Sequence, residues 1–265
     1  MGAGRPHNPP AGNPFAGTPF DLTGRTVLVT GASRGLGAAM ARAVAGAGAS
    51  LLLWARDARA LERQAASLKT ARRRVRCQRV DVTDTVAVRR AVRTAGRIDV
   101  LINNAGIWGG GAALRLPRPT WERVFATDLT GAFFVSQAVA AGMARRRYGK
   151  IINIASTAGL MALPSSAAYG TAKAALLHLT RILAVDWGPY GIRVTGIAPG
   201  VFRTDMTREM YADRRWMRRR LAEIPLRRFG EPAELGPLAV FLASRASDHI
   251  TGQTIVIDGG ASLTT

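Results

Sequence analysis

Ser156, Tyr169 and Lys173 carry side chains that together can manage one proton and one developing negative charge. Tyr169 and Lys173 lie four residues apart, so on a helix both leave the same face, one turn from each other. An ammonium on that face favours the phenolate form of a tyrosine, whose ordinary pKa is about 10, and brings phenol acid–base chemistry nearer neutrality. Ser156 follows the apolar run at residues 150–155 and offers a second hydrogen bond to the same substrate oxygen. Such a trio polarises a carbonyl or deprotonates an alcohol. A tyrosine and lysine at this spacing are also common on solvated helix faces, so their meaning depends on the elements around them.

Those elements alternate. Apolar, β-branched runs interleave with helical patterns along the chain, which predicts an α/β fold: a doubly wound parallel sheet with helices on both faces. The first strand, residues 25–30, runs into Gly31-Ala32-Ser33-Arg34-Gly35-Leu36-Gly37 and then an Ala-rich helix over 38–47. Strand, glycine turn and helix form the order that dinucleotide binding requires. Glycines let the backbone approach a pyrophosphate, and the helix N-terminus faces it. Gly31, Ser33, Arg34, Gly35, Leu36 and Gly37 are therefore candidate cofactor contacts. The second strand, 50–55, ends at Ala55-Arg56 with no acid to accept from the ribose hydroxyls of NAD. Arg56 and Arg34 suit a 2′-phosphate, so NADP(H) is favoured; Asp57, one position later, keeps NAD(H) as the alternative.

Further along, a third strand over 75–80 ends at Asp81-Val82, with Asp81 placed for an adenine amino group and Asp84 for a helix N-cap. The fourth strand, 98–102, ends in Asn103-Asn104-Ala105-Gly106, assigning Asn103, Ala105 and Gly106 to the backbone beside a nicotinamide ribose. Trp108 in the glycine-rich loop 107–111, with Ala158, Phe202 and Met206, are the expected substrate-pocket walls. A long helical pattern over 119–145 contains Asp128, with Leu129, Phe133, Phe134 and Val135 as core. Strands follow at 192–197, closing at Pro199-Gly200, and at 253–258. Between them, the Arg-rich residues 200–229 include Met206, Met210, Tyr211, Trp216 and Met217 and read as a mobile substrate lid. His178 reads as packed rather than catalytic, and no Cys/His constellation suggests a metal.

The 265 residues, 48% hydrophobic, suit a single domain over 21–265 after a disordered tail over 1–20, which lacks the apolar centre of a signal peptide or membrane anchor. The single Cys77 excludes an intramolecular disulfide and fits a reducing cytoplasm. A balance of 37 basic to 17 acidic residues raises the question of nucleic acid. The arginine clusters at 72–74, 145–147 and 218–220 lack interleaved aromatics, however, and read as solvated faces or as docking sites for an acidic carrier or anionic substrate. Only Lys69, Lys150 and Lys173 are lysines. A lysine kept at 173 in so arginine-rich a chain suits a site needing a compact, three-donor ammonium.

In order and spacing, Thr30-Gly31 through Gly37, Asn103 through Gly106, Ser156 with Tyr169 and Lys173, and Pro199-Gly200 with Thr204 resemble the short-chain dehydrogenase/reductase family over residues 22–262. The resemblance implies a seven-stranded sheet, NAD(H) or NADP(H), a small-molecule or carrier-bound carbonyl substrate, and a homotetramer or dimer. By it, Tyr169 is the acid/base, Lys173 favours its phenolate and holds the nicotinamide ribose, Ser156 orients the substrate oxygen, and Thr204 contacts the carboxamide. Segments 20–24, 149–156 and 196–200 look most like 3-oxoacyl-carrier-protein reductases, with gluconate 5-dehydrogenase-like, other sugar or polyol, or cyclic-ketone enzymes as the alternative. Two departures stand out. Asp128 replaces the asparagine that supports a proton relay in the family, which leaves a nucleotide-sensing protein without turnover as a further reading. The spacing from Asp81 to Asn103 is also about one helical turn short, which should shorten a peripheral helix.

Overall fold

The computed structural model describes residues 13–70 and 73–264, the side chains of residues 209 and 210 excepted. Residues 1–12 of the expected tail, Arg72 of the first arginine cluster and the Met210 side chain of the lid lie outside the described residues. Seven apolar runs form strands: β1 (Thr26–Thr30), β2 (Ser50–Ala55), β3 (Val75–Arg79), β4 (Val100–Asn103), β5 (Gly149–Ile154), β6 (Ile192–Pro199) and β7 (Thr254–Ile257). They pair in parallel, in the order β3-β2-β1-β4-β5-β6-β7. The order in which strands are added reverses between β1 and β4, where Val27, Leu28 and Val29 lie opposite Val100, Leu101 and Ile102. In such a sheet the crevice beyond the strand C-termini at this point receives ligands.

The helices are α1 (Gly35–Gly46), α2 (Ala58–Leu68), α3 (Thr85–Ala95), α4 (Arg118–Phe125), α5 (Ala132–Arg145), α6 (Ala167–Trp187), α7 (Arg214–Glu223) and α8 (Leu235–Ala243). Val27 and Val29 pack with Met40 and Val44 of α1, Leu61 of α2 and Val240 of α8. Leu28 between them packs on the other face, with Val88 of α3 and Val135, Val139 and Met143 of α5. Successive β1 side chains thus enter two separate cores, so the strand reads as a continuous apolar run rather than an alternation. Asp57 caps α2 by accepting from Ala60 N–H at 3.0 Å, and Asp84 caps α3 by accepting from Val86 and Ala87 N–H at 3.0 and 2.9 Å.

Four local features differ from expectation. The helical pattern over 119–145 is two helices joined by a π-helical turn, Ala126–Gly131, that contains Asp128. Residues 13–20, expected within the tail, fold back: Phe15 packs against the first core and Phe20 lies 6.3 Å from the Phe241 ring of α8. β6 reaches Pro199 rather than ending at residue 197. His178, expected to be packed, is exposed on α6.

Candidate active site

A cavity of about 1550 Å³ opens above the C-terminal strand ends and collects nearly all the residues singled out from sequence. Gly31, Ser33, Arg34, Gly35 and Leu36 line it from the β1–α1 turn, and Arg56, Asp81 and Val82 from the ends of β2 and β3. Ala105, Gly106 and Trp108 follow β4, while Asp128 enters from the π-turn. Ser156, Ala158, Tyr169 and Lys173 line the centre, and Pro199, Gly200, Phe202, Thr204 and Met206 the side after β6. The volume exceeds the roughly 300–1,000 Å³ of a single small-ligand site, leaving room for a dinucleotide and a substrate together.

Two expected contacts are elsewhere. Asn103, the last residue of β4, turns its side chain into the core: Nδ2 donates to Ala132 O at 3.2 Å, Ser136 Oγ at 2.7 Å and Asn153 Oδ1 at 3.0 Å. Its neighbour Asn104 lines the cavity and donates to Thr30 O and Gly31 O at 3.1 and 3.2 Å, bracing the glycine turn. Gly37 also stands back from the cavity. A Cβ there would collide with the Gly31 carbonyl and the Asn104 amide, so its role is close helix–strand approach rather than ligand contact.

At the centre, Tyr169 and Lys173 occupy adjacent turns of α6, with Lys173 Nζ 5.6 Å from the Tyr169 ring centroid. Lys173 is buried; Nζ donates to Ile154 O at 2.9 Å and pairs with Asp128 Oδ2 at 3.1 Å. The other Asp128 oxygen accepts from Ile107 N–H at 2.9 Å. Burial pushes the Lys173 ammonium down, but the Asp128 carboxylate, and then Tyr169, outweigh it and hold the group above the ordinary lysine value. Ser156 Oγ accepts from Ala158 N–H at 3.2 Å at the end of β5, which fixes the side chain and leaves its hydroxyl proton to donate elsewhere. The Trp108 ring lies 5.0 Å from that of Tyr169 and forms a flat wall beside it. The arrangement can donate a proton to, or take one from, a substrate oxygen, with a fixed cation beneath the phenol.

The nucleotide end is built differently. Arg34 stands at the N-cap of α1 without a side-chain cap, and the first helical turn holds no acid, which leaves an N-terminus suited to a pyrophosphate. Arg34, Arg56 and Asp57 line the same end, and Asp57 Oδ1 is engaged as the α2 cap. Asp81 Oδ1 accepts from Thr83 N–H and Thr83 Oγ1 at 3.0 and 2.8 Å. Burial would raise the Asp81 carboxyl, but these bonds and the Arg56 and Arg79 charges hold it below its usual range. After β6, Thr204 and Thr207 bond reciprocally to cap a 3-10 segment, Asp205–Ala212. Tyr211 and Met217 pack around Ile224 and Phe229 rather than into the cavity, Trp216 packs in the same cluster and also lines the cavity, and Met206 is exposed along its edge.

Sequence reasoning missed the bracing shell: Thr30 Oγ1 accepts from Asn104 and Ala105 N–H, both at 3.0 Å, and Asn153 Nδ2 donates to Thr180 Oγ1 at 2.9 Å. The signal available was polar residues inside otherwise apolar strand runs, each needing a partner in a two-sided core. Arg219 and Arg220 of the cluster at 218–220, expected on a solvated face or an anion-docking surface, reach the cavity, as does Glu223, which was not singled out.

Residues 31–262 match the family model described as enoyl-(acyl carrier protein) reductase. Gluconate 5-dehydrogenase of Gluconobacter oxydans (strain 621H) is 39% identical over 248 residues, 92% of this chain and 97% of that protein. The 3-oxoacyl-[acyl-carrier-protein] reductase FabG of Vibrio cholerae is 34% identical over 242 residues, 91% of this chain and 98% of that one. A gluconate 5-dehydrogenase from Burkholderia cenocepacia J2315, solved in complex with NADP and tartrate, has a TM-score of 0.90 at 36% identity and covers 93% of this chain and 98% of its own.

Proposed function

Because the chain belongs to the short-chain dehydrogenase/reductase family and is an oxidoreductase, we propose that it interconverts a ketone and a secondary alcohol with NADP(H), acting on 3-oxoacyl thioesters of a carrier protein or coenzyme A. The observation that carries the reaction class is the buried Lys173 beneath Tyr169, opening with Ser156 into the cavity that also receives the glycine turn. Arg34 and Arg56 would hold the 2′-phosphate, the α1 N-terminus the pyrophosphate, and Lys173 the nicotinamide ribose. NADP(H), when bound, supplies or accepts the hydride. Ser156 Oγ orients the substrate oxygen, Tyr169 gives it a proton in reduction and takes one in oxidation, and Thr204 faces the carboxamide. NAD(H) is the alternative cofactor, disfavoured because Arg34 and Arg56 line the end of the cavity where Asp57 already spends Oδ1 on the α2 cap.

A second reading, a gluconate 5-dehydrogenase-like enzyme for sugar acids, is supported by the 39% identity to the Gluconobacter oxydans enzyme. Assembly as a homotetramer, or a dimer, is supported by β7, an edge strand whose Val256 is exposed. A cytoplasmic site of action belongs to the same reading.

The test is a panel of 3-oxoacyl thioesters, keto sugar acids and cyclic ketones with NADPH and NADH, run on the wild type and on Tyr169→Phe. Tyr169→Phe should lower turnover about a thousandfold while NADPH still binds. Turnover that survives the loss of the hydroxyl would sink the mechanism, and wild type inert toward every ketone would sink the function.

A further inference from the structure

The charges lining the cavity leave one lid cation unmatched, and we infer that Arg219 binds an anionic group of the substrate at a position other than the reacting carbonyl. This rests on the oxidoreductase reading above and specifies what that site selects. At the centre of the cavity, Lys173 is matched by Asp128 at 3.1 Å. On the lid, Asp205 is held by Arg208, and Glu223 by Arg220, each pair within one turn of its own segment. Arg219 lines the cavity from α7, and among the described residues it has no acidic partner. The remaining cations of the cavity, Arg34 and Arg56, line it from the β1–α1 turn and the end of β2, where they would hold the 2′-phosphate.

The guanidinium is presented from a footed helix rather than a loose loop. Trp216, one turn before it on α7, stacks on Phe229 with ring centroids 6.0 Å apart, and Met217 and Leu221 pack in the same small cluster with Ile224. Asp213 caps the helix by accepting from Arg215 and Trp216 N–H at 2.8 and 3.0 Å. A planar, permanently charged fork held this way favours carboxylate or phosphate oxygens, which it can bind with two parallel hydrogen bonds. A substrate with a ketone at Tyr169 and an anion at Arg219 is fixed at both ends, which also restricts how its carbonyl is presented. The carboxylate of a keto sugar acid and the phosphates of a pantetheine thioester share this chemistry.

The test uses two matched pairs of substrates with NADPH: acetoacetyl-CoA against the neutral acetoacetyl-N-acetylcysteamine, and 5-keto-D-gluconate against the neutral keto sugar L-sorbose. Wild type should show a lower KM for the charged member of at least one pair, and that pair identifies the source of the anion. Arg219→Gln should reduce that preference about tenfold to a hundredfold, the worth of a charge-assisted hydrogen bond. Arg219→Lys should restore part of it, and Arg218→Gln, a neighbouring arginine that does not line the cavity, should leave it intact. A wild type without charge preference, or a preference that survives Arg219→Gln, overturns the inference while leaving the oxidoreductase reading standing. If no ketone turns over, that reading has failed, and the anion site is decided by titrating 5-keto-D-gluconate and acetoacetyl-CoA onto the NADP-loaded protein by tryptophan fluorescence. Affinity lost in Arg219→Gln then supports the site; equal affinity, or no binding to either protein, overturns it.

Discussion

Asp128 gives Lys173 a built-in counter-ion where a neutral amide stands in the resemblance drawn from sequence. The pair is buried, 3.1 Å apart, and the same carboxylate ties down the Ile107 backbone beside the cavity. Asp128→Asn keeps the shape but offers a single acceptor to two donors, so folding stability should fall by about 1–3 kcal/mol. Turnover should be preserved or raised, because Lys173 keeps its bond to Ile154 O and its place beneath Tyr169. The pH dependence has a definite sign. The folded state holds the Lys173 ammonium above its ordinary value, so the contribution is fully present below the unfolded lysine pKa of about 10.4 and is lost as pH rises through the folded one. The gap in melting temperature between wild type and Asp128→Asn should therefore be constant near neutrality and narrow above about pH 10. A gap that widens in alkali rules out the ion pair as its source, and a collapse in turnover gives the carboxylate a role in proton transfer itself. At this scale the sequence showed which residues matter better than where they point. Ser156, Tyr169 and Lys173 were legible from type and spacing, whereas Asn103 and Asn104 are adjacent amides, one closing β4 with its side chain in the core and the next just past the strand. Nothing in their types distinguishes the one that enters the core from the one that braces the glycine turn.

Among the elements, strands were the easiest to read, because covering both faces of a parallel sheet demands uninterrupted apolar runs; β2 spans the residues expected of it. The π-turn Ala126–Gly131 was not legible. Slipping the helical hydrogen bond by one residue leaves the apolar periodicity of the flanking helices almost unchanged, yet it is what carries Asp128 into the cavity. Gly131 shows what the turn requires of its surroundings. A Cβ there would lie 2.9 Å from Val82 Cγ2, 3.0 Å from Val82 O and 3.2 Å from Ala126 O. Two of these neighbours are backbone oxygens, and Val82 itself lines the nucleotide end of the cavity. Gly131→Ala should cost about 1–3 kcal/mol of stability through overpacking. NADPH affinity should fall with it, because the segment after β3 must move to make room. Thermal unfolding and an NADPH titration check this; an unchanged midpoint and affinity would mean that the π-turn shifts freely and does not set the position of Val82.

For the whole molecule, 37 basic residues stand against 17 acidic ones, and exposed arginines occur on separate elements, among them Arg59 on α2, Arg89 and Arg90 on α3, Arg145 on α5 and Arg218 on α7. Arg145, Arg146 and Arg147 are exposed, with Arg146 and Arg147 turned onto the Ile98 and Pro189 carbonyls at 2.6 and 2.9 Å. Where exposed arginines do meet acids, as in the fork of Arg228 on Glu234 at 2.7 and 2.6 Å, they stabilise locally, and Glu234 is held down to about 2. Surface pairs of this kind contribute little to folding, so the net charge acts mainly as a long-range field. A diffuse positive field should raise the encounter rate of any anionic substrate and be screened within about 8 Å at physiological ionic strength. Raising salt from about 20 mM to about 300 mM should therefore lower kcat/KM severalfold for the charged member of a substrate pair and barely change it for the neutral member. Adsorption to DNA should share that salt dependence without sequence preference and vanish at moderate salt. Retention on DNA at high salt would mean that the arginines form a specific surface, and kcat/KM indifferent to salt for a charged substrate would mean that the net charge does not steer it. On the proposal made for Arg219, the net charge and the cavity arginine would act with the same sign, the bulk field setting how fast an anion arrives and Arg219 which one stays.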